Sequence, residues 1–269
     1  MNKIEQLDFL IEELIGENIR YKELRIPEDY NKKRKLLRSL MNVREPCEAS
    51  EEFIKVQDEF LKKECEDKGI VKLRNLPTLS EMFPAKYNKH ADKITLWQGD
   101  ITRLKVDAIV NAANNQMLGC FVPCHGCIDN AIHSAAGIEL RIECDELMKK
   151  QGFLEPTGNA KITGAYNLPC KHIIHTVGPI IVGFLRDEDC KQLDSCYKSC
   201  LKVAVENNIK SIAFCCISTG EFHFPNKMAA EIAIKAINNF LDDNSEKIER
   251  IVINVFKEED FQIYKNLLG

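Results

Sequence analysis

The sequence predicts an α/β fold behind a helical N-terminal region, with helices on both faces of a mixed, mostly parallel sheet. Three observations carry this expectation. From Ala91 onward, short β-branched runs alternate with longer amphipathic segments, the pattern of buried strands between packing helices. Earlier residues show apolar side chains at helical spacing among many charges instead. Finally, 45% hydrophobic and 29% charged residues over 269 positions suit a globular chain with a substantial core. The change of pattern divides the chain into a helical extension, 1–90, and an α/β unit, 91–269.

In order, IEQLDFLIEELI, YNKKRKLLRSLMNV and EEFIKVQDEFLKKEC predict three or four amphipathic helices, punctuated by Pro46, Pro77 and Pro84. A less regular segment, NLPTLSEMFPAKYN, follows. These helices are expected to cover one edge of the sheet. KITLWQGD, DAIVNAA, AKITGAYNL, HIIHTVG, SIAFCCIS and RIVINVF then read as strands, with Cys215 and Cys216 inside the fifth. IDNAIHSAAGIELRIECDELMKKQ, QLDSCYKSCLKVAVENN, NKMAAEIAIKAINNFLDD and EEDFQIYKNLLG read as the helices between and after them. In such sheets ligands collect beyond the carboxyl ends of the strands.

Several classes are disfavoured. A formal charge of −4 argues against a nucleic-acid binder that neutralises many phosphates. No run of about eighteen apolar residues offers a membrane span, and the first residues lack a secretory h-region, so a cytoplasmic protein is expected. Most of the twelve cysteines fall in apparent core segments and read as small buried hydrophobes in a reducing compartment.

Three strand-end loops carry the functional signal: QGDIT (98–102), NAANNQMLG (111–119) and STGEFHFP (218–225). Each is rich in small or polar residues that let backbone amides face a ligand. STGEF is expected just before a helix N-terminus begun by Pro225, a place that favours phosphate. Between the second loop and the next helix stands GCFVPCHGC, residues 119–127. Cys120, Cys124, His125 and Cys127 are four donors of the kind that binds zinc. Adjacent Cys124 and His125 rarely both ligate from a tight turn, so spacing favours Cys120, His125 and Cys127, with Cys124 as the alternate. Three protein ligands leave an open, catalytic position; four would make a closed structural site. A structural knuckle, a redox pair and unmetallated cysteines are the alternatives.

Taken together and in this order, QGDIT…VDAIVNAANN, IDNAIHSAAG, GNAKITGAYNLPCKHIIHTVGP and ISTGEFHFP resemble the macrodomain, the three-layer α/β/α module that binds ADP-ribose. GCFVPCHGC stands where that family carries a glycine-rich stretch, which narrows the resemblance to zinc-dependent macrodomains with a helical N-terminal extension. The resemblance implies that Asp100 accepts from the adenine amino group, with the Ile101 amide nearby. It implies that Asn114 bonds the distal ribose and that Ser218, Thr219, Gly220, Glu221 and Phe222 form the diphosphate loop. Asp129 matches a carboxylate placed beside the scissile ribose, sharing a helix face with His133 at i+4. His133 itself reads as a helix-packing residue, as His172 and His175 read as structural, and Asn111 as tying the loop backbone.

The function so implied is a zinc-dependent hydrolase (Zn2+ as cofactor) that removes mono-ADP-ribose from a protein side chain, an acidic one. Asn114 positions the ribose and Asp129 orients or deprotonates the water. Some members act on a lipoyl-carrier protein (GcvH-like) and oppose a sirtuin-type ADP-ribosyltransferase. The competing readings are a non-catalytic ADP-ribose reader with a structural zinc and a hydrolase of a free ADP-ribose derivative.

Overall fold

The computed structural model describes residues 1–86 and 89–269; Tyr87 and Asn88, which end the segment read as irregular, lie outside the described residues. The extension holds α1 (Lys3–Gly16), α2 (Tyr30–Val43) and α3 (Glu51–Lys68). Each begins on a side chain that satisfies an orphan amide. Asn2 accepts from Ile4 and Glu5, Asp29 from Lys32, and Ser50 from Phe53. Such caps contribute about 1 kcal/mol each. The three helices bury one apolar cluster, including Leu7, Leu10, Leu37, Phe53 and Phe60.

That cluster ends on Ile138, which belongs to the helices of the α/β unit. The three extension helices therefore cover the helix layer rather than an edge of the sheet, contrary to the sequence expectation, while Leu76 and Leu79 of the same region join the core of the sheet. The reason is polar as well as apolar: Gln57 accepts from the Ile138 amide at 2.9 Å, and Asn42 donates to Ser134 at 2.9 Å.

The α/β unit is entered through β1 (Val71–Lys72) and a short α4 (Leu79–Met82). β2 (Ile94–Gln98), β3 (Leu104–Lys105) and β4 (Ala108–Ala113) follow, and β1 pairs with β3 in a two-residue parallel ladder. Then come α5 (Ile128–Ala136), α6 (Ile138–Gln151), β5 (Ala160–Gly164), β6 (His172–Val177), α7 (Asp187–Glu206), β7 (Ser211–Phe214), α8 (Asn226–Asn244), β8 (Arg250–Val255) and α9 (Glu258–Leu268). The main sheet has the order β2-β8-β7-β4-β6-β5. β2, β8, β7, β4 and β6 are parallel, and only β5 runs against its neighbour. The parallel strands present their carboxyl ends, and hence all three loops singled out in the sequence, to one side of the molecule.

Three local readings change. The segment 128–151 is two helices, because Gly137 breaks it at φ +104°, and a Cβ there would stand 2.7 Å from Gln57 Nε2. β7 ends at Phe214, so Cys215 and Cys216 lie past the strand. α8 begins at Asn226 with Pro225 as its cap, which leaves His223 and Phe224 between STGEF and the helix.

Candidate active site

The 119–127 loop folds its donors onto one point. The ligand atoms of Cys120, His125 and Cys127 all lie within 4.8 Å of one another. Cys120 Sγ stands 3.7 Å from His125 Nδ1. Cys124 turns the other way: at φ +53° its thiol meets the Lys35 carbonyl at 3.4 Å and Ser39 Oγ at 3.2 Å on α2. The trio could thus hold a soft divalent cation without Cys124. Cys127 also caps α5, its sulfur accepting from the Asn130 amide at 3.4 Å, where the helix dipole favours negative charge. Burial pushes its thiol up to about 12 against that amide, with Cys120 and Asp129 adding to the rise.

Two residues into α5, Asp129 is only 5% exposed. One oxygen accepts from Asn111 Nδ2 at 2.8 Å; the other faces Asn114 Nδ2 at 3.4 Å. Burial lifts this carboxyl to about 6, against the pull of Asn111 and the charge of Arg141. Asn111 does not tie the loop backbone as the sequence suggested. It lies opposite His175 in the β4–β6 register and gives its second amide hydrogen to His175 Nδ1 at 3.1 Å. His175 Nε2 then meets Thr163 Oγ1 at 2.9 Å, and Thr163 donates to the Gly164 carbonyl. These contacts require the neutral Nε2–H imidazole. Burial holds His175 down at about 3 and keeps it in that form.

Asn114 spends most of its side chain on the loop itself. Its oxygen accepts from the Gln116 and Met117 amides, and its nitrogen donates to the Gly119 carbonyl at 3.0 Å. Gly119 must be glycine: at φ +80° it passes over His133, and a Cβ would stand 2.8 Å from that ring. His133 is buried, with Nε2 3.5 Å from Asp129 Oδ1. Desolvation, with His175 and Arg141 nearby, holds it well below the ordinary imidazole value.

The 218–222 loop is shaped by its backbone. Ser218 and His223 take left-handed conformations at φ +65° and +56°. Phe224 N–H returns to the Ser218 carbonyl at 2.9 Å, and Ile181 N–H meets the Phe222 carbonyl at 2.9 Å. Ser218 Oγ is buried with no hydrogen-bond partner among the described residues; Thr219 Oγ1 donates to the Cys216 carbonyl. Gly220 has open space around its Cα, and the exposed Glu221 reaches to 3.6 Å from His125 Nε2. That contact brings the loop to the Cys120–His125–Cys127 trio.

Asp100 starts a 3-10 turn, Ile101–Arg103, accepting from Thr102 N at 3.0 Å and Thr102 Oγ1 at 2.7 Å. Ile101 is buried. Asp100, Ala131 and Ser134 line a cleft together with Arg38, Leu61 and Lys68 of the extension. Sequence reasoning missed Arg38, Asn42 and Asn130, whose side chains hold the 119–127 loop. The one available signal was a pair of polar residues, Arg38 and Asn42, spaced i, i+4 on an otherwise amphipathic helix.

Comparison with known proteins identifies the family. The Macro domain family model matches residues 110–233. A protein-ADP-ribose hydrolase of Treponema medium is 50% identical over 269 residues, covering all of both chains. One from Staphylococcus aureus (strain MRSA252) is 42% identical over 264 residues, 97% of this chain and 94% of its own length. Among solved structures, the Trypanosoma brucei macrodomain in complex with ADP-ribose superposes with a TM-score of 0.66 at 27% identity, covering 86% of this chain and 95% of that one. This chain belongs to the macro domain family, alongside its protein-ADP-ribose hydrolases.

Proposed function

We propose that this chain is a zinc-dependent protein-ADP-ribose hydrolase that removes mono-ADP-ribose from an acidic side chain of a modified protein in the cytoplasm. The observation that carries the reading is that three soft donors converge in the 119–127 loop and the buried Asp129 follows two residues after Cys127, in the first turn of α5, where its charge acts on that thiol. A binder has no need of a buried carboxylate beside an open donor set. The identity of 50% over the full length to a protein-ADP-ribose hydrolase supports the same reaction here.

The donors fit zinc. With ordinary Zn–S and Zn–N bond lengths, a tetrahedral ion sets sulfur and nitrogen about 3.6 Å apart, and Cys120 Sγ and His125 Nδ1 stand at 3.7 Å. A zinc ion held by Cys120, His125 and Cys127 supplies Lewis-acid polarisation of a ribose or linkage oxygen.

The chain's own residues do the rest. Amides of Ser218 to Phe222 hold the diphosphate. Asp100 and the Ile101 amide take the adenine at the cleft beside the extension. Asn114, 3.4 Å from Asp129, aligns the distal ribose beside that carboxylate. Asp129, fixed by Asn111, accepts the proton of the attacking water as the new bond to the ribose carbon forms and the substrate carboxylate departs. The resemblance of GCFVPCHGC to the zinc-dependent class supports a lipoyl-carrier protein as the modified partner, with a sirtuin-type ADP-ribosyltransferase as the opposing enzyme.

The test is to incubate the zinc-loaded chain with a carrier protein mono-ADP-ribosylated on acidic residues and follow label release. Release that stops on chelation and returns with zinc is expected. Binding of ADP-ribose without any release overturns the hydrolase in favour of a reader.

A further inference from the structure

The extension touches the α/β unit at one place with unusual polar density, the 119–127 loop. This loop has no regular structure, so its backbone groups need partners from elsewhere. Asn130 supplies two of them. Its Nδ2 donates to the Val122 carbonyl at 2.9 Å and the Cys120 carbonyl at 3.4 Å, and its main-chain N–H goes to Cys127 Sγ. Asn130 is itself gripped from α2, where Arg38 Nε and Nη2 meet its Oδ1 at 3.1 and 2.6 Å. The same Nη2 donates to the His125 carbonyl at 3.1 Å. One turn further along α2, the fully buried Asn42 accepts from the Cys124 amide at 2.9 Å and donates to Ser134.

We infer that α2 is a working part of the reaction centre: Arg38, with Asn130 and Asn42, holds the 119–127 loop in its ligating shape. The inference rests on the zinc reading above. Every ligand residue is reached by this brace. Cys120 and His125 are held through their carbonyls, Cys127 through its sulfur, and Cys124 is drawn off toward Ser39 and out of the ligand set. Arg38 and Asn42 at i and i+4 share one face of α2. The planar guanidinium serves two acceptors that a point-charged ammonium cannot bridge in the same way. Arg38 is a positioning residue: it acts on the metal through the loop, without touching it.

Outer-shell partners of this kind are worth roughly 10–100-fold in metal affinity. The experiment uses the full chain as Arg38→Met, with Lys33→Met as a control. Lys33 pairs with Asp8 inside the extension, away from the loop. Zinc affinity is measured by competition with a chromophoric chelator, and amide exchange over residues 119–127 in the zinc-free protein. Arg38→Met should bind zinc 10–100-fold more weakly and exchange faster within that segment, while Lys33→Met keeps the parent's affinity. If Arg38→Met does not fold, Arg38→Lys carries the same test with the same thresholds. Zinc affinity within twofold of the parent overturns the inference alone. A parent chain that takes up no zinc overturns the metal reading and the inference with it.

Discussion

The loop after β4 and the loop after β7 lie side by side at the same end of the sheet, yet they are built on opposite plans. The first, from residue 120 to 127, is held by side chains from other elements: Asn130 of α5, and Arg38 and Asn42 of α2. Its own side chains are therefore free to point donors at a common centre. The second is held by its own main chain, through the left-handed Ser218 and His223 and the return of the Phe224 amide to Ser218. In the proposed reading, one plan aims side chains at the reacting bond, and the other aims amides at a diphosphate, where a side chain would be in the way.

The largest effects should come from attacking the first plan at its donors. Cys120→Ala, His125→Ala and Cys127→Ala should each lose bound zinc by about 100-fold or more in affinity, whereas Cys124→Ala keeps it. Metal analysis after dialysis checks this, and full retention by any of the first three removes that residue from the ligand set. The expectation follows from the loss of one of only three protein ligands.

The second plan is broken through its backbone. A Cβ on Gly178 would lie 2.0 Å from Ser218 Oγ and 2.9 Å from Ile217 Cγ2. Overpacking of this kind costs about 1–3 kcal/mol. Gly178→Ala should therefore weaken ADP-ribose binding by roughly 10-fold by calorimetry while leaving zinc content at the parent level. A matching loss of zinc would mean that the two loops are not separable.

A smaller effect concerns the buried support under Asp129. Folded His175 is held at about 3 by burial, and an unfolded histidine titrates near 6.5. The unfolded chain thus takes up the proton first as pH falls. The contribution of neutral His175 is complete above about pH 6.5 and is lost progressively toward pH 3, by up to about 1.4 kcal/mol per pH unit. Asn at this position keeps an acceptor for Asn111 and cannot titrate. Denaturant unfolding at pH 7, 5.5 and 4.5 should show a shallower slope in His175→Asn than in the parent.

The smallest effect belongs to the contact between the loops. Glu221 is 64% exposed on its side chain and 3.6 Å from His125 Nε2. Exposed pairs contribute about 0–1 kcal/mol, so Glu221→Ala should change hydrolysis less than about fivefold. A larger loss would make Glu221 a ligand-binding side chain rather than a loop residue.

How much of this was legible depends on how local each signal is. The β-branched runs of β2, β4, β6, β7 and β8 carry their burial in their own composition, so the sheet could be read directly. The crowding of Cys120, His125 and Cys127 within one turn-rich loop is equally local, and adjacency alone set Cys124 apart. The break at Gly137 was hidden because the apolar spacing continues across it, and only the close approach of Gln57 and Asn167 makes a glycine necessary there. Arg38 and Asn42 look like ordinary polar positions on an amphipathic helix until the fold brings α2 onto a loop more than eighty residues away. Asn111 was placed on the correct strand but given the wrong partners. Its neighbour across the ladder, His175, is set by strand register, which no short window contains.

The claim that binding and reaction are divided between the two loops is tested most directly with Asp129→Ala. ADP-ribose affinity and the rate of release from a mono-ADP-ribosylated carrier protein should be measured on the zinc-loaded parent and variant. The account predicts affinity within a few-fold of the parent and release slower by about 10²–10⁴, the range for a lost general base. Unchanged release in the variant would contradict it.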